Sequence, residues 1–324
     1  MATALHDQLT TYLTDAHSIE VQALAQLRSA PDLAGDPDLA RAFREHRQET
    51  EGHERTTREL LESRGASPSK LKDMVMAVGG KGFLLFARLQ PDTPGKLLAH
   101  AISYEGLEFA SYALLGNVAE RAGEQEVVDA AARIRSEERA MLERLEGGFG
   151  RAVDAALHEH PRDDLRDLER KYLADAHAIE EQAIRLLERA PKLVEDPQLA
   201  SVFAEHLDET RDHADLVAGR LHALGGDPSS LKDALMRLGA LNWGGFFQAH
   251  PDTPGKLAAF AYAFEHLEIG AYEQLKRVAA RVDDQETVAV GDRILAQERQ
   301  AAARIEGAFA AAARASLEAV GATA

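Results

Sequence analysis

Displacing the sequence by 160 positions lays its second half on its first without a gap. About 40% of the aligned positions are identical, far above chance for a repeat of this length. Tyr12 falls on Tyr172, and Pro91-Asp92-Thr93-Pro94-Gly95-Lys96-Leu97 recurs whole as Pro251-Asp252-Thr253-Pro254-Gly255-Lys256-Leu257. Solenoid units run to roughly 20–50 residues, so each copy here is a domain. The chain is expected to hold two copies of one fold, residues 1–160 and 161–324, joined near His158 to Arg162, where Pro161 interrupts a helical stretch. Any fold and any site proposed for one half must also suit the other, packed beside it as a pseudo-symmetric pair.

The punctuation inside each copy is that of helices. Asp36-Pro37, Ser67-Pro68 and Thr93-Pro94 each place a capping residue before a proline at the first helical position, where the missing N–H costs nothing, and the second copy repeats all three. Pro31 and Pro191 read as closing a first helix, and Gly65 and Gly225 sit where a left-handed residue ends a second. Four long helices are expected, over residues 5 to 29, 37 to 64, 94 to 122 and 125 to 156, with a short helix near 68 to 78 and equivalents 160 positions on. Leu24, Leu27, Leu39, Phe43, Leu60, Leu61, Leu97, Leu107, Leu115, Val118, Ile134, Leu142 and Leu145 keep spacings of three and four, and no window alternates like a strand. The fold class is therefore all-α: two tandem antiparallel four-helix bundles, each with an extra short helix in its long connection.

Charged residues share the apolar stripes. His17 and Glu20 run on into Leu24 and Leu27, while His46, Glu49 and His53 fall in line with Leu39, Phe43 and Leu60. Glu105, Glu108 and Tyr112 lie between Leu97 and Leu115, and Glu138 lies four residues from both Ile134 and Leu142. The second copy retains His177, Glu180, His206, Glu209, His213, Glu265, Glu268, Tyr272 and Glu298, whereas Glu137 becomes Gln297, which favours Glu138 as the inward acid of the fourth helix.

So many carboxylates in one core would be prohibitive unless compensated, and a cation resolves the cost. The chain has no cysteine, so any metal must be held by His, Asp or Glu; mixed carboxylate and imidazole donors suit iron or manganese, held as a dinuclear centre in each bundle. The candidate ligands are Glu20, His46, Glu49, His53, Glu105, Glu108 and Glu138, with Glu180, His206, Glu209, His213, Glu265, Glu268 and Glu298. His17 is a further candidate. A formal charge of -17 argues against nucleic acid and anionic membrane surfaces. No apolar run approaches the roughly 18 residues of a membrane span, and the start, Met-Ala-Thr-Ala-Leu-His-Asp, has no signal-like pattern. These features lead to the expectation of a soluble cytoplasmic protein, a monomer with an internal pseudo-dimer or a dimer of such chains.

Asp15-Ala16-His17-Ser18-Ile19-Glu20-Val21-Gln22, His46-Arg47-Gln48-Glu49-Thr50, Glu105-Gly106-Leu107-Glu108 with Tyr112, and Glu137-Glu138 together resemble the YciF-like ferritin-like domains, a bacterial stress-associated family, and both copies match. The resemblance implies a ferritin-like bundle with a possible dinuclear site and a role in oxidative or general stress, without a defined reaction. Ferritin-like di-iron proteins usually place a histidine three residues after a glutamate on the second and fourth helices. Here Gly52, Asp212, Met141 and Ala301 stand at those places, so the imidazoles must come from His46 or His53, with His17 a further candidate. Equal distance from a turn near residues 32 to 35 would put His46 level with Glu20 and Glu49 level with His17.

Three functions fit. One is a di-metal oxidoreductase of ferroxidase or peroxidase type that consumes peroxide or oxygen; another is a metal-sequestering protein without turnover. The third is a metal-free scaffold whose Glu and His residues form a buried network that fixes helix register. Tyr112 and Tyr272 read more simply as core tyrosines with bonded hydroxyls than as redox phenols. Phe83, Phe86, Trp243, Phe246 and Phe247 suit a cover for the bundle end or an interaction patch.

Overall fold

The computed structural model describes residues 2–68, 93–158, 162–188, 190, 194–227 and 253–322. They form helices only: α1 (Ala2–Leu27), α2 (Ala30–Leu33), α3 (Pro37–Ser63), α4 (Thr93–Ala122), α5 (Gln125–Glu146) and α6 (Phe149–Leu157) in the first half. The second half has α7 (Arg162–Leu187), α8 (Pro197–Ala223), α9 (Thr253–Arg281), α10 (Gln285–Gly307) and α11 (Phe309–Ala319). The short helices expected near 68 to 78 and 228 to 238, and the five aromatic residues from Phe83 to Phe247, lie outside the described residues.

The helices start and stop where their capping chemistry directs. The Asp36 carboxylate accepts from the backbone N–H groups of Asp38 and Leu39 at 3.0 Å, and Asp196 repeats this for Gln198 and Leu199. Gly65 and Gly225 take φ of +69° and +74° just beyond α3 and α8, the left-handed cap that glycine allows. Of the expected core residues all are buried except Leu24 and Leu107, which are half-buried.

Two expectations need correction. The fourth helix is not continuous to residue 156: it breaks at Gly147-Gly148, and α10 ends correspondingly at Gly307. Glycine is poor in helix interiors, and the break lets α6 turn the buried face of Phe149, Ala152, Val153 and Leu157 back across the bundle. Pro31 does not close α1, which ends earlier at Leu27; it occupies the first turn of α2, where its ring is tolerated.

The halves pack through α4 and α9 about a pseudo-twofold axis. Ser103 Oγ donates to the carbonyl of Ala263 at 2.7 Å, joining two positions 160 apart and so marking the axis. Around it the contacts are reciprocal, as a twofold requires: Lys96 pairs with Asp175 at 2.7 Å, and its counterpart Lys256 pairs with Asp15 at 3.2 Å. The His266 ring, on the axis, lies against Gly106, its own counterpart; a Cβ there would come within 3.2 Å of the imidazole. Tyr262 lies against the His266 ring, Phe109 stacks on Tyr262, and Phe309 meets Tyr262 edge-on.

Backbones approach closely at this seam. A Cβ on Gly270 would lie 2.9 Å from Ala99 Cα. Gly270→Val is expected to destabilise the protein by about 1–3 kcal/mol through overpacking, even though removing a helical glycine alone would gain up to about 1 kcal/mol. Denaturant melts check this, and an unchanged or raised midpoint would show that the seam can yield.

Candidate metal centre

Four helices of each bundle send polar side chains to one level of the core. In the first half α1 supplies Glu20, α3 His46 and His53, α4 Glu105 and Glu108, and α5 Glu138, all buried. Donor atoms of His46, Glu105, Glu108 and Glu138 lie within 4.8 Å of one another, and so do donor atoms of Glu20, His53 and Glu138. Glu138 belongs to both groups. Its Oε2 lies 3.5 Å from His46 Nε2, which is 3.1 Å from Glu105 Oε2, and its Oε1 lies 2.8 Å from His53 Nδ1, which is 3.7 Å from Glu20 Oε1.

These inward atoms crowd together at ion-pair distance without well-aligned hydrogen bonds. Among the described residues, His46 Nε2, His53 Nδ1, Glu20 Oε2, Glu105 Oε2 and both oxygens of Glu108 and Glu138 lack a hydrogen-bond partner. Native structures leave only a few such groups unsatisfied per hundred residues. Here they gather at a single point, and the same atoms of His206, His213, Glu180, Glu265, Glu268 and Glu298 do so in the second half. A donor set of this chemistry fits a cation: both groups could hold a metal ion.

Protons compensate the charges when no cation does. Burial pushes Glu20 up to about 8 and Glu105 up to about 7, and lifts Glu108 well above the ordinary range; the charge of Glu138 adds to each. Although burial opposes its charge, His53 is raised to about 9 by Glu138 and Glu20, and His46 is raised by Glu105 and its neighbours. Glu138, despite its burial, is held below the usual value by His53 and His46. Burial thus favours protonated acids around Glu138, whose charge and that of its neighbours favour protonated His46 and His53. In the second half burial raises Glu180 to about 8 and Glu298 to about 7.

The outward nitrogen of each imidazole is bonded, which fixes the inward one. His46 Nδ1 lies 3.1 Å from Glu49 Oε2, and His53 Nε2 lies 2.6 Å from Glu137 Oε2. In the neutral form that ligation requires, with the outer nitrogens donating, His46 Nε2 and His53 Nδ1 would turn lone pairs inward, as in carboxylate–histidine–metal arrangements. Tyr112 donates to Glu20 Oε1 at 2.5 Å, and Tyr272 likewise to Glu180, so both are core tyrosines with bonded hydroxyls.

Compared with the sequence-based expectation, the geometry brings together Glu20, His46, His53, Glu105, Glu108 and Glu138 and sets Glu49 apart. Glu49 is half exposed behind His46, and Glu209 occupies the same place behind His206. His17 is not level with Glu49; its Nε2 meets Glu54 at 3.0 Å, away from the cluster. Nor is His46 level with Glu20, whose neighbour is His53. The reversal centres on Asp36 and not on residues 32 to 35, because α2 adds a helical turn before α3 begins. Sequence reasoning also passed over Glu137 as a partner of His53; its adjacency to Glu138 and its place four residues beyond Arg133 mark it as half-exposed.

A family model described as "Domain of unknown function (DUF892)" matches residues 4–158 and again 164–318. No solved structure matches the chain. Among the described residues no helix is long and apolar enough to cross a membrane.

Proposed function

Since the chain belongs to the DUF892 family, the YciF-like domains, twice over, we propose that each half is a ferritin-like bundle holding a dinuclear iron or manganese centre that handles peroxide, oxygen or iron under oxidative or general stress. The observation that carries this reading is the convergence of otherwise unsatisfied donor atoms from four helices. His46, Glu105 and Glu108 would serve one position and Glu20 and His53 the other, with Glu138 between them through its two oxygens. The second half repeats the set. The gap between the two family matches, after residue 158 and before residue 164, supports a domain junction near residue 160. Oxygen and imidazole donors without thiolate suit iron or manganese, which when bound supply redox capacity and Lewis acidity.

The protein's own residues do the rest. Glu49 and Glu137 hold the His46 and His53 tautomers, the buried setting excludes bulk water, and the Tyr112 hydroxyl donates to Glu20 Oε1 and orients that carboxyl. Glu20, Glu105 and Glu108, whose burial favours the protonated form when no cation is present, give up protons on ligation.

Anaerobic titration with ferrous or manganous ion is expected to show saturable binding of up to two ions per half, with proton release. Aerobic oxidation of added ferrous ion would separate an oxidoreductase from a store. A titration with no saturable binding would leave the Glu and His residues as a structural network and overturn the proposal.

A further inference from the structure

Resting on the metal-binding reading above, we infer that the two centres are not equivalent: the first half binds its metal more tightly than the second, and the difference is set by the residues behind the histidines. The inward ligands are the same residue types in both halves. Behind them the halves diverge at two independent places.

The first is behind His46 and His206. Glu49 meets His46 Nδ1 at 3.1 Å, and no arginine or lysine among the described residues pairs with it; Arg144, on α5, is bound instead to Glu45 at 2.6 Å. In the second half Glu209 meets His206 Nδ1 at 3.2 Å, but Arg304, the counterpart of Arg144, binds the same Oε2 of that carboxylate. The negative charge is neutralised, and the oxygen is shared.

The second is behind His53 and His213. His53 Nε2 has the Glu137 carboxylate at 2.6 Å, while His213 Nε2 has the neutral amide oxygen of Gln297 at 3.2 Å. Arg133 reaches Glu137 at 3.4 Å, but it is half exposed, where solvent screens a pair strongly. An ionised partner makes an imidazole a stronger donor than an amide or a neutralised carboxylate does, and such outer partners are worth about 10–100-fold in metal affinity. Both differences favour the first half.

The test is equilibrium binding of manganous ion to the full chain against a competing chelator, with free ion followed by its paramagnetic resonance signal. Two classes of site about 10–100-fold apart are expected, the tighter lost in Glu138→Ala and the weaker in Glu298→Ala. Gln297→Glu should draw the weaker class toward the tighter, and Glu137→Gln the tighter toward the weaker, with the number of ions bound unchanged. A purely structural role for these half-exposed positions would not move affinity at constant stoichiometry. A single class, the reverse assignment of classes to halves, or variants that leave both affinities in place would overturn the inference while leaving the metal-binding reading intact. Absence of any saturable binding would instead overturn that reading and this inference together.

Discussion

Freed of divalent cations by a chelator, the protein is expected to melt at a higher temperature near pH 6 than near pH 8.5, and added metal is expected to reverse the order. The metal-free side follows from raised acid constants. Glu20 and Glu180 move from 4.5 to about 8, and Glu105 and Glu298 from 4.5 to about 7. His53 moves from 6.5 to about 9. A group whose folded value is raised contributes stability that is complete below the unfolded value and is lost as pH climbs through the folded one. For the glutamates that window runs from about 4.5 to 8, and for His53 from about 6.5 to 9. Glu49, Glu138 and Glu209, whose values are lowered, act in the opposite sense, but only at the acid end, below the ordinary 4.5.

Metal inverts the sign because ligation demands deprotonated carboxylates and neutral imidazoles, so protons compete with the ion as pH falls. At a hundred times its dissociation constant an ion adds about 2.7 kcal/mol per independent site, or several degrees in a chain of this size. The readout is the metal-induced shift at each pH. Self-repulsion from the formal charge of -17 acts with and without metal and so largely cancels in that difference. A shift that shrinks from pH 6 to pH 8.5, or a chelated protein more stable at pH 8.5, would contradict the ligand assignment.

Replacing Glu108 and Glu268 with methionine should stabilise the chelated protein by about 1–4 kcal/mol and abolish most of the metal-induced shift. Both oxygens of each carboxylate are buried with no hydrogen-bond partner among the described residues, and burial, then the charge of Glu138 or Glu298, raises their acid constants far above the ordinary value. Methionine has a similar volume, and exchanging an uncompensated buried acid for an apolar side chain is often neutral or stabilising. The scaffold alternative makes the opposite forecast. If these acids fix helix register through ion pairs, removing one partner should cost about 3–5 kcal/mol. Thermal melts in chelator distinguish the two by sign.

Much of the bundle was legible because capping and periodicity are local. Asp36-Pro37 and Gly65 bracket α3, and the spacing of Glu105, Glu108 and Tyr112 places them together on the buried side of α4. Periodicity, however, assigns a face and not a level along the axis. Equal distance from the turn pairs Glu20 with His46, yet its neighbour is His53, because a single turn of helix at Ala30–Leu33 displaces the whole of α3. The same limit misplaced Glu49: a position three residues from His46 shares its side of the helix, yet lies far enough around to reach solvent and hold the outer nitrogen. The change from Glu137 to Gln297 favours Glu138 as the inward acid, and it says something of Glu137 itself only once both residues are seen behind a histidine.

The contact between His266 and Gly106 has a consequence for how this protein could have come apart or together. Across a true twofold a residue on the axis meets its own duplicate, so a homodimer must be self-complementary there: two histidines would collide, and two glycines would leave a gap. Here one half carries the knob and the other the hole. Such a fit can be encoded only when the partners are distinct sequences, and tandem fusion guarantees that each knob always finds its hole. Two first halves, or two second halves, would no longer match each other, so the duplication is locked in and the halves are free to drift into unlike duties.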